Sequence, residues 1–217
     1  MDYAAARRNM VESQVRTNKV TDRGILDAML TLPRESFVPK ASQSLAYVDE
    51  DIAVAPGRYL MEPFVLGRLL QAAALQPSDV ALVVGCSTGY AAAVVAQLSA
   101  TVLAIESDAD LASEAMRILA EQSIDNVVVE VADHTKGWPE QGPYDVILID
   151  GAVADVPAAI LDQLGEGGRL VTVVKQPEMV GRATLYGKRG GTVSHRALFD
   201  AAVNMVPGFE KEAGFVF

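Results

Sequence analysis

Three features of this 217-residue sequence could do chemistry together. A turn of small residues, Gly85-Cys86-Ser87-Thr88-Gly89, follows the apolar run 81–84 and opens an Ala/Val-rich segment at Tyr90. Glu106 closes the next apolar run, 101–105, and Asp133 lies just past a third, 127–131. A glycine-bounded turn ahead of a helix points unpaired backbone N–H groups at whatever binds there. A carboxylate at the end of the following strand can accept hydrogen bonds from a diol. Together these describe a nucleoside-cofactor site.

Three ligand classes compete for it. A phosphate-binding P-loop needs Gly-Lys-Ser/Thr, and the turn holds no lysine. A dinucleotide fingerprint needs glycines at 85, 87 and 90, where the chain has Gly85, Ser87 and Tyr90. Ser87 would hinder close approach to a pyrophosphate, and Tyr90 sits where helix and sheet must pack tightly. S-adenosylmethionine carries no phosphate. Its carboxylate suits backbone N–H groups at a helix start, and its ribose suits an acid at the next strand end.

The elements that must hold these residues alternate. Helix 64–75 leads into strand 80–84; strand 101–106 precedes helix 108–121, with Ser107-Asp108 as its cap. Strand 127–131, strand 145–149, a helix over about 156–164 and strand 169–174 follow. This alternation predicts right-handed crossovers and a parallel sheet, an α/β fold. The strands are near-continuous apolar runs, as when both faces are covered. Upstream, residues 2–32 read as two helices, the second capped by Thr21-Asp22 and ended by Pro33. Downstream, 184–199 reads as a hairpin turning at Gly190-Gly191, and 214–217 as a closing strand.

Composition narrows the class. Half the residues are hydrophobic, enough for a sizeable core and against disorder. No apolar run approaches the ~18 residues of a membrane span, and residues 1–8 lack the apolar region of a secretory signal. Cys86 is the single cysteine, which excludes an intrachain disulfide and a cysteine-based zinc cluster, and no metal site is expected. A cytoplasmic setting fits. The net charge of −10 disfavours nucleic acid as a partner.

Leu32-Pro33-Arg34-Glu35-Ser36-Phe37-Val38-Pro39 and Ala46-Tyr47-Val48-Asp49 introduce a resemblance, together with Met10-Val11-Glu12-Ser13-Gln14 before them. Lys136-Gly137-Trp138-Pro139-Glu140, Pro143-Tyr144-Asp145 and 163–170 continue it. In order and spacing, roughly residues 9–174 resemble the protein-L-isoaspartate O-methyltransferases. The resemblance implies a class I, Rossmann-like S-adenosylmethionine-dependent methyltransferase fold: a mostly parallel sheet ending in an antiparallel hairpin, plus an N-terminal helical extension. It implies a substrate-side extension over 1–62 and a cofactor-binding domain over 63–217; residues 1–60 are expected to form a lid over the strand ends. Gly85, Cys86, Ser87 and Gly89 would line the cofactor, with Glu106 on its ribose, Asp133 near its adenine, and Ser107 and His134 beside them. The acceptor would be a protein or peptide, or a small molecule.

The chain departs from the family at several of these positions. The loop's acidic residue is Val83, and its central glycine is Ser87, where a Cβ forces negative φ or about 1–2 kcal/mol of strain. In the substrate segment, Gly57-Arg58-Tyr59-Leu60-Met61-Glu62-Pro63 keeps the flanking Gly and Pro, but Met61 replaces a serine. If that hydroxyl orients substrate, its loss costs about 1.5–3 kcal/mol, tenfold to a hundredfold in rate. Asp150-Gly151-Ala152 stands where the family has a Thr-Ala-Ala-like stretch. An ionised Asp150 would repel a carboxylate acceptor and serve as a base for a hydroxyl or amine; otherwise it is a solvated helix-entry residue. Arg58 is expected to pair with Glu62 on one turn, the alternative being a substrate carboxylate.

Plainer roles stand beside these. Glu106 could cap helix 108–121, and Asp133 could be an ordinary loop residue. Cys86 reads as a loop filler, Trp138 as a packing anchor, and His195 as a surface or core residue. Isoaspartyl methylation and transfer to another acceptor both remain open. So does a non-catalytic member of the same fold acting as a regulatory or interaction protein. A nicotinamide-dependent reductase keeps little support. Oligomeric state is not legible.

Overall fold

Valine and isoleucine dominate the central strands because each is covered on both faces. In β3 (Val80–Val84), Ala81 and Val83 face one side while Leu82 and Val84 face the other. A computed structural model describes residues 1–210; the strand expected at 214–217 lies outside them. Seven strands form one sheet: β3, β4 (Thr101–Glu106), β5 (Val127–Val131), β6 (Tyr144–Val153), β7 (Leu164–Val174), β8 (Gly181–Arg189) and β9 (Thr192–Ala201). Their order is β5-β4-β3-β6-β7-β8-β9, parallel through β7 and antiparallel at β7–β8 and β8–β9. The chain runs outward from β3 to β5, then returns to place β6 on the other side of β3. Order therefore reverses between β3 and β6, and a crevice forms outside such strand ends.

One face carries α3 (Pro63–Ala73), α4 (Tyr90–Ala96) and α5 (Ala109–Glu121). The N-terminal elements join that layer: α1 (Tyr3–Met10) with its π-helical continuation Val11–Val15, and α2 (Arg23–Thr31). Asp22 caps α2, its Oδ1 accepting from the Ile25 N–H at 3.1 Å. A continuous apolar core runs from Met10 and Met29 through Val65 to Val83. The lid expectation narrows accordingly. Helix α2 lies against α3 and α4, the π-helical segment against α3, and α1 against α2; the strand ends are reached by Phe37 and by the hairpin β1 (Ile52–Ala55) to β2 (Arg58–Leu60).

The opposite face is thinly covered. The helix expected over 156–164 shrinks to α6 (Ala158–Leu161), because Leu164 already pairs with Tyr144 in the sheet and the Gln163 carbonyl accepts from the Tyr144 N–H at 2.9 Å. Val206 and Phe209, beyond the hairpin, complete the cover.

Several matched motifs anchor the extension. Gln14 donates to the Tyr47 carbonyl at 2.9 Å. Arg7 donates to the Tyr47 hydroxyl at 3.0 Å and pairs with Glu35 at 3.2 Å. Arg34 is wholly buried, donates to the Ala46 and Met61 carbonyls at 2.8 Å each, and lies 4.7 Å over the Tyr90 ring.

Candidate functional site

The turn after β3 is held from below by β4: the Gly85 and Cys86 N–H groups donate to the Ile105 carbonyl at 2.9 and 3.1 Å. The extension holds it from above, with the Thr88 hydroxyl on the Phe37 carbonyl at 2.6 Å and Phe37 edge-on to Tyr90. Gly85 and Gly89 take φ of +72° and +93°. Ser87 takes +52°, so the backbone keeps the left-handed conformation and the serine carries the strain. Its hydroxyl is buried without a partner.

Glu106 ends β4 fully buried. Its Oε2 accepts from the Ser87 N–H at 2.9 Å, and its Oε1 from the Ser107 and Asp108 N–H groups at 2.8 and 3.1 Å. Oε1 also takes Arg58, Nη2 at 2.8 Å and Nε at 3.1 Å, and Nη2 donates to the Ser107 hydroxyl at 2.8 Å. Burial pushes the Glu106 carboxyl up, but Arg58 and the backbone donors outweigh it and hold the group below the usual glutamate range. The expected Arg58–Glu62 pair is therefore corrected. Arg58 sits on a strand, where residues four apart do not share a turn, and a buried carboxylate attracts it more strongly. Glu62 instead lies among like charges; burial first, then Asp51, Asp49 and Glu50, pushes it up to about 7.

Asp150 lies in β6 beyond its parallel pairing with β3, buried, with Oδ1 unpartnered. That overturns a solvated helix-entry role. Burial, then Asp51, pushes its carboxyl up to about 8 against the pull of Arg34, with Glu106 adding to the rise. A rise of that size favours the neutral carboxyl near pH 7. Asp150 lines one hollow with Arg58, Tyr59, Met61 and Gly85.

Asp133 and His134 part company. Asp133 is taken up by its own loop, accepting from the Thr135 hydroxyl at 2.6 Å and pairing with Lys136 at 2.9 Å; the Thr135 hydroxyl, then Lys136, lower it to about 2. His134 is buried, its Nε2 2.6 Å from the Pro207 carbonyl and its ring stacked on Phe209 at 5.6 Å. Cys86 is buried, and burial pushes its thiol well up, consistent with filling and not with nucleophilic attack. Trp138 packs beneath the sheet, its carbonyl accepting from the Tyr144 hydroxyl at 2.6 Å. His195 tilts over Tyr186 on β9.

The sequence reading missed two features. Arg34 was legible only as a motif letter, although its neighbour Pro33 and the following aromatic marked a built turn. The segment 203–209 gave no periodic signal, yet it crosses the strand ends. The Ala152 N–H donates to the Asn204 carbonyl and the Val206 N–H to the Ala152 carbonyl, both at 2.8 Å. The donors around the cleft suit a nucleoside cofactor: an acid at the end of β4, a glycine-bounded turn, and unpartnered polar atoms at Ser87, His134 and Asp150. The space does not. The hollow between Gly85, Arg58, Asp150 and Val206 is ≈ 10 Å³, room for about one water.

Comparison with known proteins accounts for this architecture. The model of the family "Protein-L-isoaspartate(D-aspartate) O-methyltransferase (PCMT)" matches residues 5–213. The protein-L-isoaspartate O-methyltransferase of Koribacter versatilis is 39% identical over 177 residues, 82% of this chain and 80% of that one. The enzyme of the same name from Methylorubrum extorquens is 40% identical over 176 residues, 81% and 77% of the two chains. A solved protein-L-isoaspartate O-methyltransferase superposes with a TM-score of 0.82 at 25% identity, covering 93% of this chain and 66% of that one. A Plasmodium falciparum protein described as a putative member, in complex with S-adenosyl-L-homocysteine, gives 0.77 at 19% identity, covering 95% and 98%. The fold is that of the class I methyltransferases, and the chain belongs to the protein-L-isoaspartate O-methyltransferase family.

Proposed function

We propose that this chain is an S-adenosylmethionine-dependent methyltransferase acting on protein carboxyl groups, with isoaspartyl side chains as the acceptor class its relatives are named for. One observation carries the reading: the Gly85–Gly89 turn, Glu106 and Asp150 converge where sheet order reverses between β3 and β6. The alternative of a non-catalytic member is not favoured, since relatives near 40% identity carry the enzyme's name. S-adenosylmethionine, when bound, supplies an electrophilic sulfonium methyl.

In this reading residues 63–217 bind the cofactor, and the β1–β2 hairpin of the N-terminal extension, residues 1–62, faces the acceptor. Glu106 would serve the ribose. The acceptor would sit by Tyr59 and Met61. A carboxylate acceptor is already ionised and needs no base; it needs a hydrogen-bond donor that holds it in line. Met61 cannot donate. The protonated Asp150 carboxyl can, so it takes the place of the family's serine instead of acting as a base. No described helix is long and apolar enough to cross a membrane.

The test is methyl transfer to an isoaspartyl peptide and to its ordinary aspartyl counterpart at saturating cofactor. Preference for the isoaspartyl peptide is expected. Asp150→Asn, which keeps a donor, should retain at least tenfold more turnover than Asp150→Leu. Binding of S-adenosylhomocysteine without transfer to either peptide would refute the acceptor assignment.

A further inference from the structure

The closed cleft is itself informative. We propose that segment 203–209 and the Arg58 guanidinium form an intramolecular gate over the cofactor cleft, and that the cofactor binds only by displacing it. The inference rests on the methyltransferase reading above.

Two blocks occupy the space. A Cβ built on Gly85 would lie 3.0 Å from Val206 Cγ1, and one built on Gly151 would lie 2.6 Å from Val206 Cγ2. Val206 thus fills the room that the two glycines leave open at the ends of β3 and β6. Behind it, the Pro207 carbonyl is 2.6 Å from His134 Nε2, and Phe209 stacks on the His134 ring. Arg58 makes the second block. It takes Oε1 of Glu106, the acid that would otherwise serve a ribose diol, while Ser87 holds Oε2. The ≈ 10 Å³ that remains is far below the several hundred Å³ that nucleoside-sized ligands need.

The filling has the marks of a gate and not of a permanent core. Ser87 Oγ, His134 Nδ1 and Asp150 Oδ1 are buried around it without partners. A fold that had given up its ligand would gain by replacing each with an apolar group. The segment meets β6 at one bridge, Ala152 with Met205, and through three backbone hydrogen bonds: Ala152 N–H to the Asn204 carbonyl and Val206 N–H to the Ala152 carbonyl at 2.8 Å, and Ala154 N–H to the Phe209 carbonyl at 2.9 Å. Its clamp to the hairpin is one carboxylate in a solvent-exposed contact: Asp51 Oδ2 accepts from Asn204 N at 2.8 Å and Nδ2 at 2.9 Å. Opening would break those bonds and expose Val203, Val206 and Phe209, and the exposed Asp51 clamp is where it can start. The apparent affinity for cofactor is then the intrinsic affinity reduced by the open fraction.

Calorimetric titration of S-adenosylhomocysteine into the full chain, Val206→Ala and Arg58→Met tests this, with hydrogen exchange read at the Val206 and Phe209 amides. Both variants should bind at least tenfold more tightly than the native chain. Saturating ligand should speed exchange at both amides in the native chain, a readout that survives if a variant fails to fold. Equal binding by all three chains with unchanged exchange overturns the gate and leaves the methyltransferase reading standing. No binding by any of them at millimolar ligand overturns that reading, and the gate with it.

Discussion

Two buried carboxyl groups stand on either side of β3, and their environments drive them apart. Glu106, ending β4, gathers Arg58 and three backbone N–H groups and is held ionised. Asp150, in β6, faces Asp51 and has one oxygen with no partner, and it is held protonated up to about 8. Similar burial gives opposite charge states because hydrogen-bond donors surround one and a like charge faces the other. Paired acids with separated protonation are how one cleft divides its labour. In the proposed reading the ionised acid would serve the cofactor and the neutral one the acceptor.

The largest way to break this contrast is to remove the ionised member. Glu106→Leu leaves the Arg58 charge buried and three N–H groups unpaired, and it should lower unfolding free energy by about 3–5 kcal/mol. Arg58→Met leaves Glu106 with its backbone donors and should cost less, about 1.5–3 kcal/mol, the worth of its charged hydrogen bonds. Urea denaturation of both variants reads the difference. Equal losses would mean that the ion pair, and not the backbone cradle, holds Glu106.

Acid and base sharpen the contrast next, since the two groups contribute opposite slopes. Glu106 is lowered on folding, so its stabilisation is present above its unfolded value and is lost as pH falls through the folded one. Asp150 is raised, so the native state holds a proton that the unfolded chain has released. Stability is greatest below about 4 for this group and declines as pH rises through about 8, by at most ~1.4 kcal/mol per pH unit. Urea midpoints measured from pH 5 to 9 should fall for the native chain. Asp150→Asn, neutral throughout, should lessen that decline and leave the part due to Glu62, itself raised to about 7; an unchanged slope would show that Asp150 is ionised at neutral pH.

How much of this was readable beforehand follows from how local each cause is. The spans 80–84 and 101–106 were legible to the residue, because doubly covered strands are unbroken apolar runs ended by Gly85 and by a capped helix; 127–131 was legible as a valine-rich run, although it is an edge strand in which Val129 alone is buried. The motif residues Gln14, Arg34 and Tyr47 were legible as a pattern, although their bonds span 33, 12 and 40 positions. Arg58 was misread because a nearby Glu62 suggested a local pair, whereas its partner lies 48 residues on. Val206 was invisible, since a stretch that packs through one side chain and one bridge shows no period. Asp150 was left open between a base at the strand ends and a solvated helix-entry residue, because residues 203–207, which line its hollow, lie about fifty positions on.

Ser87 gives the smallest test and the most local. A glycine there would adopt the left-handed backbone freely, and the present serine holds φ of +52° with its hydroxyl buried and unpartnered. Ser87→Gly removes the strain of about 1–2 kcal/mol and the desolvated hydroxyl, against roughly 0.5–1 kcal/mol of added chain entropy in the unfolded state. The net expectation is a gain of about 1 kcal/mol, a rise of roughly 2–4 °C in melting temperature for a chain of this size. The N–H of residue 87 stays on Glu106 in either case, so the gain should persist in the Arg58→Met background. A gain that vanished there would tie the strain at 87 to the Arg58 contact and not to the turn itself.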